Sequence, residues 1–143
     1  MQKHPKKECS MVETFKMISF DKIVDERGDI TVLETMHHLP FEVKRLFYVR
    51  NPRGERGNHA HKTLNELLIP MSGSLTVEVE DGHNRQSFNL YPSGIGLLIP
   101  PMVWARQYAF SHDCTYLVLA SEKYDESDYI RDHCEYIKLV SAR

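Results

Sequence analysis

The stretch "SLTVEVEDGHN" (74–84) is the strongest constraint on what this chain can fold into. Leu75, Val77 and Val79 alternate with Thr76, Glu78 and Glu80. A period of two puts the first set on one face of a strand and the second on the other, the pattern of a sheet with one face in a core. Asp81-Gly82 then supplies a tight hairpin turn. The same pattern recurs at short intervals. "ITVLETM" (30–36) follows the turn "DERGD", and "FEVKRLFYVR" (41–50) ends in the breaker-rich "NPRGERG". "SFNLY", "GLLI", "ARQYAF" and "TYLVLA" repeat it between Pro92-Ser93-Gly94, Pro100-Pro101 and Ser111-His112-Asp113. Many short antiparallel strands of this kind are buried by closing them into a barrel or jelly roll.

One segment departs from the rule. "DESDYIRDHCEYIKLV" (125–140) has Tyr129, Ile130, Cys134, Ile137 and Val140 near helical spacing, with Asp125 or Ser127 placed to cap a helix. The expected fold is therefore all-β, an antiparallel barrel with a short C-terminal helix. A chain of 143 residues carries one core of this size. Residues 1–11 read as a mobile N-terminal arm and 12–143 as a single domain.

Charge and composition narrow the function classes. The formal net charge is −2, so no global field recruits nucleic acid or an anionic membrane. The longest apolar run, "IGLLIPPMVWA", holds two prolines and falls far short of a membrane span. Cys9, Cys114 and Cys134 are odd in number and lack motif spacing, which predicts reduced thiols and a cytoplasmic protein.

The chemistry-bearing stretch is "RGNHAHK" (56–62). His59 and His61 are two apart and share a strand face, and Glu66 follows five residues later. On one straight strand Glu66 would point the opposite way, so the chain must turn within "KTLN" for the three to meet. Two imidazoles and a carboxylate suit a facial metal triad, a pair of proton carriers, or neither.

Gly54, His59, His61, Glu66 and Gly73, followed by Pro92-Ser93-Gly94 and "LLIPPMVWA", resemble the two half-motifs of the cupins. Ala105 stands where metal-binding cupins have their last His. "DERGDITVLE", "FEVKRLFYVR", "RGNHAHK" and the tail "YDESDYIRDHCEYI" are together similar to the nucleotide-sugar 3,4-ketoisomerases of the WxcM-like, FdtA-type cupin family. That resemblance covers the chain from about residue 18 and implies a cupin jelly roll without metal or other cofactor. It further implies a cytoplasmic homodimer acting on a dTDP-4-keto-6-deoxyhexose in deoxysugar and cell-surface polysaccharide biosynthesis, with neither nucleic acid nor membrane as partner. Two alternatives stay open: a metal-dependent cupin enzyme using His59, His61 and Glu66, and a sugar-binding cupin without catalysis.

Moving a carbonyl one carbon along a sugar needs a base for the proton alpha to the ketone, an enediol(ate), and return of a proton at the former carbonyl carbon. The resemblance makes His59 the base and His61 a second proton carrier or orienting partner. It gives Tyr48 as a phenol near the developing oxyanion, while Phe47 faces the other way along the strand. For the diphosphate, residues 44–62 hold Lys44, Arg45, Arg50, Arg53, Arg56 and Lys62 against Glu55 alone. Arg45, Arg56 and Lys62 are the substrate-binding candidates there, Arg45 first because a guanidinium contacts phosphate bidentately. Arg27 resembles a family position near the sugar ring, Glu66 is a pocket carboxylate, and Trp104 offers a flat wall for sugar or base. Ala105 departs from the family's polar residue after the Trp, which leaves the product's configuration at C4 open. Arg106, next to it, faces the other way.

Overall fold

The computed structural model describes residues 14–143, so the expected N-terminal arm lies outside the described residues. In chain order the strands are β1 (Lys16–Ser19), β2 (Asp21–Asp25), β3 (Gly28–Val32), β4 (Arg45–Arg50), β5 (Arg56–His61) and β6 (Glu66–Ser72). They continue as β7 (Leu75–Glu80), β8 (Arg85–Leu90), β9 (Ile95–Ile99), β10 (Trp104–Tyr108), β11 (Thr115–Ala120) and β12 (Tyr129–Ile130). A 3-10 turn (Glu126–Asp128) precedes β12, and helix α1 (His133–Ser141) follows it.

Two antiparallel sheets form a jelly-roll sandwich. One runs β1-β9-β6-β11-β4 and the other β12-β5-β10-β7-β8, while β2 and β3 form a separate hairpin. The period-two reading of β7 is realised: Leu75, Val77 and Val79 are buried in the core between the sheets, with Leu68, Leu97, Tyr116 and Val118 facing them. Asp81 makes the β7–β8 turn as expected, its Oδ1 accepting from the amides of His83 and Asn84 at 2.9 and 2.8 Å. On the other side of the first sheet, Phe20, Leu39, Phe41, Leu67, Leu98 and Leu119 form a second cluster. Successive residues of β6 thus serve opposite faces, Leu68 inward and Leu67 outward.

The tail differs from the expected helix over 125–140. Asp125 does accept from the Ser127 amide, but it caps only the 3-10 turn. Tyr129 and Ile130 are drawn out as β12, pairing with His61 and Ala60 of β5. The helix starts after Asp132, whose carboxylate accepts from the Glu135 amide at 2.8 Å. The reason is tertiary: an unpaired edge of β5 offers backbone hydrogen bonds that outweigh a local helical preference. The face α1 buries is carried by Tyr136 and Val140, four apart, packed on Ala60, Trp104 and Ile130. Ile137 stays 39% exposed.

Tyr136 locks this arrangement. Its hydroxyl lies 2.8 Å from the Glu80 carbonyl and 3.0 Å from the Met102 carbonyl, with Tyr136 wholly buried. Tyr136→Phe should lower unfolding free energy by about 1–2 kcal/mol. Denaturant titration checks this, and a loss within a few tenths would show that the helix is held by packing alone.

Candidate active site

Strand β5 carries both histidines, and its path is set by a bulge. Gly57 pairs with Arg106 and His59 with Ala105, leaving Asn58 as the extra residue. Gly57 and Asn58 both have positive φ, +82° and +59°. A Cβ on Gly57 would stand 2.9 Å from the Ala105 carbonyl oxygen, so glycine is required for the close approach of β5 to β10. Beyond the bulge the two imidazoles share the inward face as expected, ring centroids 4.8 Å apart and nearly perpendicular.

The turn demanded within "KTLN" is present, between the end of β5 and the start of β6. It carries the chain from one sheet to the other, so Glu66 faces the histidines from across the sandwich. Its Oε1 lies 3.4 Å from His61 Nε2. On the opposite side of the ring, Asp128 Oδ2 lies 3.4 Å from His61 Nδ1. His61 is therefore a buried imidazole between two carboxylates, 5% exposed.

Two cavities meet at this point. The first, about 370 Å³, is lined by His59, Glu66, Phe47, Arg56, Tyr116 and Arg131, among others. The second, about 660 Å³, is lined by His61, Asp128, Lys44, Arg45 and Tyr124, among others. Tyr129 borders both. Its ring centroid is 4.8 Å from that of His59 and 4.3 Å from that of His61, and the Arg131 guanidinium lies 4.3 Å from it.

The electrostatics separate the two histidines' roles. Burial holds His59 below the usual imidazole range, and the nearby His61 lowers it further; the Glu66 charge acts in the opposite direction. His59 is thus neutral at neutral pH, and its Nδ1 is buried without a hydrogen-bond partner. A neutral imidazole in a partly enclosed cavity is a competent base. Burial pushes the Tyr116 phenol upward despite the neighbouring Arg56, so it keeps its proton and can donate it.

The remaining expected residues distribute unevenly. Arg56 joins His59 in the first cavity. Arg45 lines the second, its guanidinium 5.5 Å from the Phe47 and Tyr124 rings and its Nε buried without a partner. Lys62 is turned to the tail, Nζ 3.3 Å from the Ser127 carbonyl. Arg27 sits in the β2–β3 turn, paired with Asp25 at 2.8 Å and outside both cavities. Tyr48 is also outside them. On β4 it pairs with Leu117 while Phe47 pairs with the core residue Val118, so strand alternation turns Phe47 to the site and leaves Tyr48 65% exposed. Trp104 is displaced by the same parity: Ala105 faces inward opposite His59, and Trp104 packs outward beneath α1, its ring centroid 4.9 Å from that of His133. Arg106 is occupied by Glu78 and Glu55, each at 3.2 Å.

Among the described residues, the group whose ligand atoms all fall within 4.8 Å of one another is Asp21, His37 and His38, not His59, His61 and Glu66. Even there His38 is committed. Its Nδ1 accepts from the Glu34 amide at 2.8 Å, so in the neutral ring Nε2 carries the proton and donates to Asp21 at 2.9 Å, with no lone pair left for a metal.

Comparisons with known proteins place the chain in a family. Residues 13–141 match the family model FdtA, described as WxcM-like, C-terminal. The chain is 41% identical over 128 residues to the TDP-4-oxo-6-deoxy-alpha-D-glucose-3,4-oxoisomerase of Aneurinibacillus thermoaerophilus, covering 88% of this chain and 92% of that one. It is similar to a histidine-to-asparagine mutant of the 3,4-ketoisomerase QdtA from Thermoanaerobacterium thermosaccharolyticum, solved with TDP-4-keto-6-deoxyglucose. That match has a TM-score of 0.88 and 35% identity, over 93% of this chain and 98% of the other. A 3,4-ketoisomerase from Helicobacter canadensis matches with a TM-score of 0.85 and 40% identity, over 89% and 97%.

The His59 environment yields a direct test. Glu66 holds the His59 proton on, so Glu66→Gln should move the His59 titration to still lower pH. Ring-proton NMR of the two proteins reads this, and an upward or absent displacement would break the assigned coupling.

Proposed function

This chain belongs to the FdtA family (WxcM-like, C-terminal), and on that premise we propose that it is a 3,4-ketoisomerase of a TDP-linked 4-keto-6-deoxyhexose in deoxysugar biosynthesis. The observation that carries the reading is His59: a neutral imidazole lining a partly enclosed cavity beside a carboxylate and a protonated phenol. His59 takes the proton from C3, the electron pair forms the enediolate, and the same ring returns a proton at C4, while the hydroxyl proton on the C3 oxygen moves to the C4 oxygen so that the carbonyl stands at C3. Two adjacent carbons lie within reach of one imidazole. Negative charge develops on the oxygens of the enediolate, where a buried hydrogen-bond donor contributes most. Tyr116 takes the oxyanion role that the sequence suggested for Tyr48, since it is a phenol of the cavity lining whose burial keeps its proton in place.

Arg56 and Arg131 are the cations of the reaction cavity; Arg56 receives the diphosphate, and Arg131, held by Glu126 at 2.8 Å, adds its charge beside it. In the second cavity Arg45 and Lys44 stand among Glu122, Asp125 and Asp128, and Lys44 is paired with Glu122 at 3.1 Å. Isomerisation is redox-neutral within the sugar, so no electron carrier enters its balance. Exposed, unpaired Cys134 suits a reducing cytoplasm.

We also propose that the active form is a homodimer. Leu46, Tyr48 and Met71 are 56, 65 and 56% exposed on the outer side of the first sheet. Ile23 and Ile30 of the β2–β3 hairpin are 55 and 59% exposed as well. A two-stranded hairpin is marginal alone, and a contiguous apolar face is a usual mark of association. A second copy of this chain covers both.

His59→Asn should reduce turnover of TDP-4-keto-6-deoxyglucose by about 10²–10⁴-fold, and Tyr116→Phe by about 10²–10³-fold, while wild-type turnover survives exhaustive chelation. Steady-state kinetics with NMR of the product measures all three. Loss on chelation, restored by one divalent metal, would return the histidines to the role of ligands. Sedimentation should give twice the chain mass for wild type and a monomer for Tyr48→Asp combined with Met71→Asp; an unchanged mass in that variant would place the interface elsewhere.

A further inference from the structure

The tail motif enters the site at a point the reaction scheme above leaves unused. Asp128 is not free to act as a surface acid. Its Oδ1 accepts from the Thr63 amide at 2.9 Å and the Thr63 hydroxyl at 2.8 Å. Its Oδ2 accepts from the Leu64 amide at 3.2 Å and faces His61 Nδ1 at 3.4 Å. The carboxylate is thereby fixed in one orientation against the ring, with its side chain 13% exposed.

Glu66, His61 and Asp128 form a line whose ends open into different spaces. Glu66 lines the cavity that holds His59, whereas His61 and Asp128 line the second cavity across Tyr129. Once a sugar occupies the first cavity, His59 is cut off from bulk water on that side. Glu66, on the wall of the same cavity as His59, begins a line of titratable groups that ends at the second cavity. Each ring nitrogen of His61 is buried without a formed hydrogen bond and faces a carboxylate oxygen at 3.4 Å, so a small turn of the ring closes both contacts, and a proton accepted at Nε2 is then matched by one released from Nδ1.

From this geometry we propose that Asp128 is a positioning residue for His61, and that Glu66–His61–Asp128 exchanges protons between the reaction cavity and the second cavity during turnover. The C3–H bond breaks, its electron pair enters the enediolate, and its proton goes to His59. His59 passes a proton to the Glu66 carboxylate, and Glu66 passes one to His61 Nε2. His61 Nδ1 releases its proton to Asp128, and Asp128 gives one to water in the second cavity. A solvent proton returns by the reverse sequence and forms the new C4–H bond, while the hydroxyl proton passes from the C3 oxygen to the C4 oxygen and leaves the carbonyl at C3, so no charge or electron is left over. His61 is thus a carrier between the substrate's base and solvent rather than a second base on the sugar. The proposal rests on the ketoisomerase reading, and the experiment separates the two.

The test is a single turnover of TDP-4-keto-6-deoxyglucose in deuterated water, reading by NMR the hydrogen that arrives at C4 of the product. In the wild type, solvent deuterium should predominate there. Removing a proton-carrying group slows transfer through it by about 10²–10⁴-fold. Exchange in Asp128→Asn should therefore fall behind turnover, and the product should retain the hydrogen that left C3. Asparagine keeps an acceptor for Thr63. Thr63→Val, which removes one bond to Asp128 Oδ1 but leaves Oδ2 facing His61, serves as the control and should match wild type in isotope content even if it melts earlier. Should Asp128→Asn not fold, Glu66→Gln interrupts the same line from the other side and should show the same retention. Wild-type product lacking solvent deuterium, or isotope content unchanged in folded Asp128→Asn and Glu66→Gln, overturns the route. Isotope content shifting equally in Thr63→Val reduces Asp128 to a structural part, which also overturns it. No turnover by wild type at all would instead remove the ketoisomerase reading.

Discussion

The site depends on how the end of strand β5 is held. On one side β10 approaches so closely that only glycine fits at position 57, and the bulge there sets the phase of everything after it. On the other side β12 pairs with His61 and Ala60, closing an edge that would otherwise face water. Between these two restraints the imidazoles are left 4.8 Å apart on the inward face. Loosening either one would let side chains rotate through a register whose period is only two residues.

Burial then turns two chemically identical side chains into different tools. His59 borders the cavity, loses solvation and is kept neutral. His61 lies deeper, with a carboxylate oxygen opposite each nitrogen. The same low-dielectric surroundings that disfavour a charge on His59 strengthen the interaction of His61 with Glu66 and Asp128. Tyr129 is wedged against both rings, and its neighbour Arg131 adds a cation to the cavity that the basic stretch of residues 44–62 does not supply.

Much of this was legible in the sequence. Alternation in "SLTVEVE" foretold which residues of β7 enter the core, and Asp81-Gly82 foretold the turn. The H-x-H spacing placed two imidazoles on one face, and the parity of Glu66 required the turn that the chain in fact makes before β6. The misplacements share one cause. Tyr48 and Trp104 were each one residue out of phase with the site, because alternation states that neighbours face opposite ways without stating which of them faces in. The tail's spacing predicts a helix, although the residues that enter the site, Asp128, Tyr129 and Arg131, precede α1. The Y-D-E-x-D-Y-I-R run held a signal for them, but nothing local shows that a two-residue strand will pair with β5.

By itself, then, the sequence determined the strands of the middle of the chain, β3 to β5 and β7 to β11, the Asp81-Gly82 turn, the shared face of His59 and His61, and the family. Those features are local, written in periods of two residues and in the torsions that glycine and aspartate allow. The convergence of Glu66 from one sheet and Asp128 from the tail on opposite nitrogens of His61 was decided only by the tertiary structure. So were the side of Tyr129 on which each basic residue falls and the enclosure that keeps His59 neutral. The physical reason is that distances across a sandwich depend on how two sheets pack and where an edge strand docks. Burial likewise belongs to the assembled fold, because the solvent a side chain loses is displaced by residues distant in the chain.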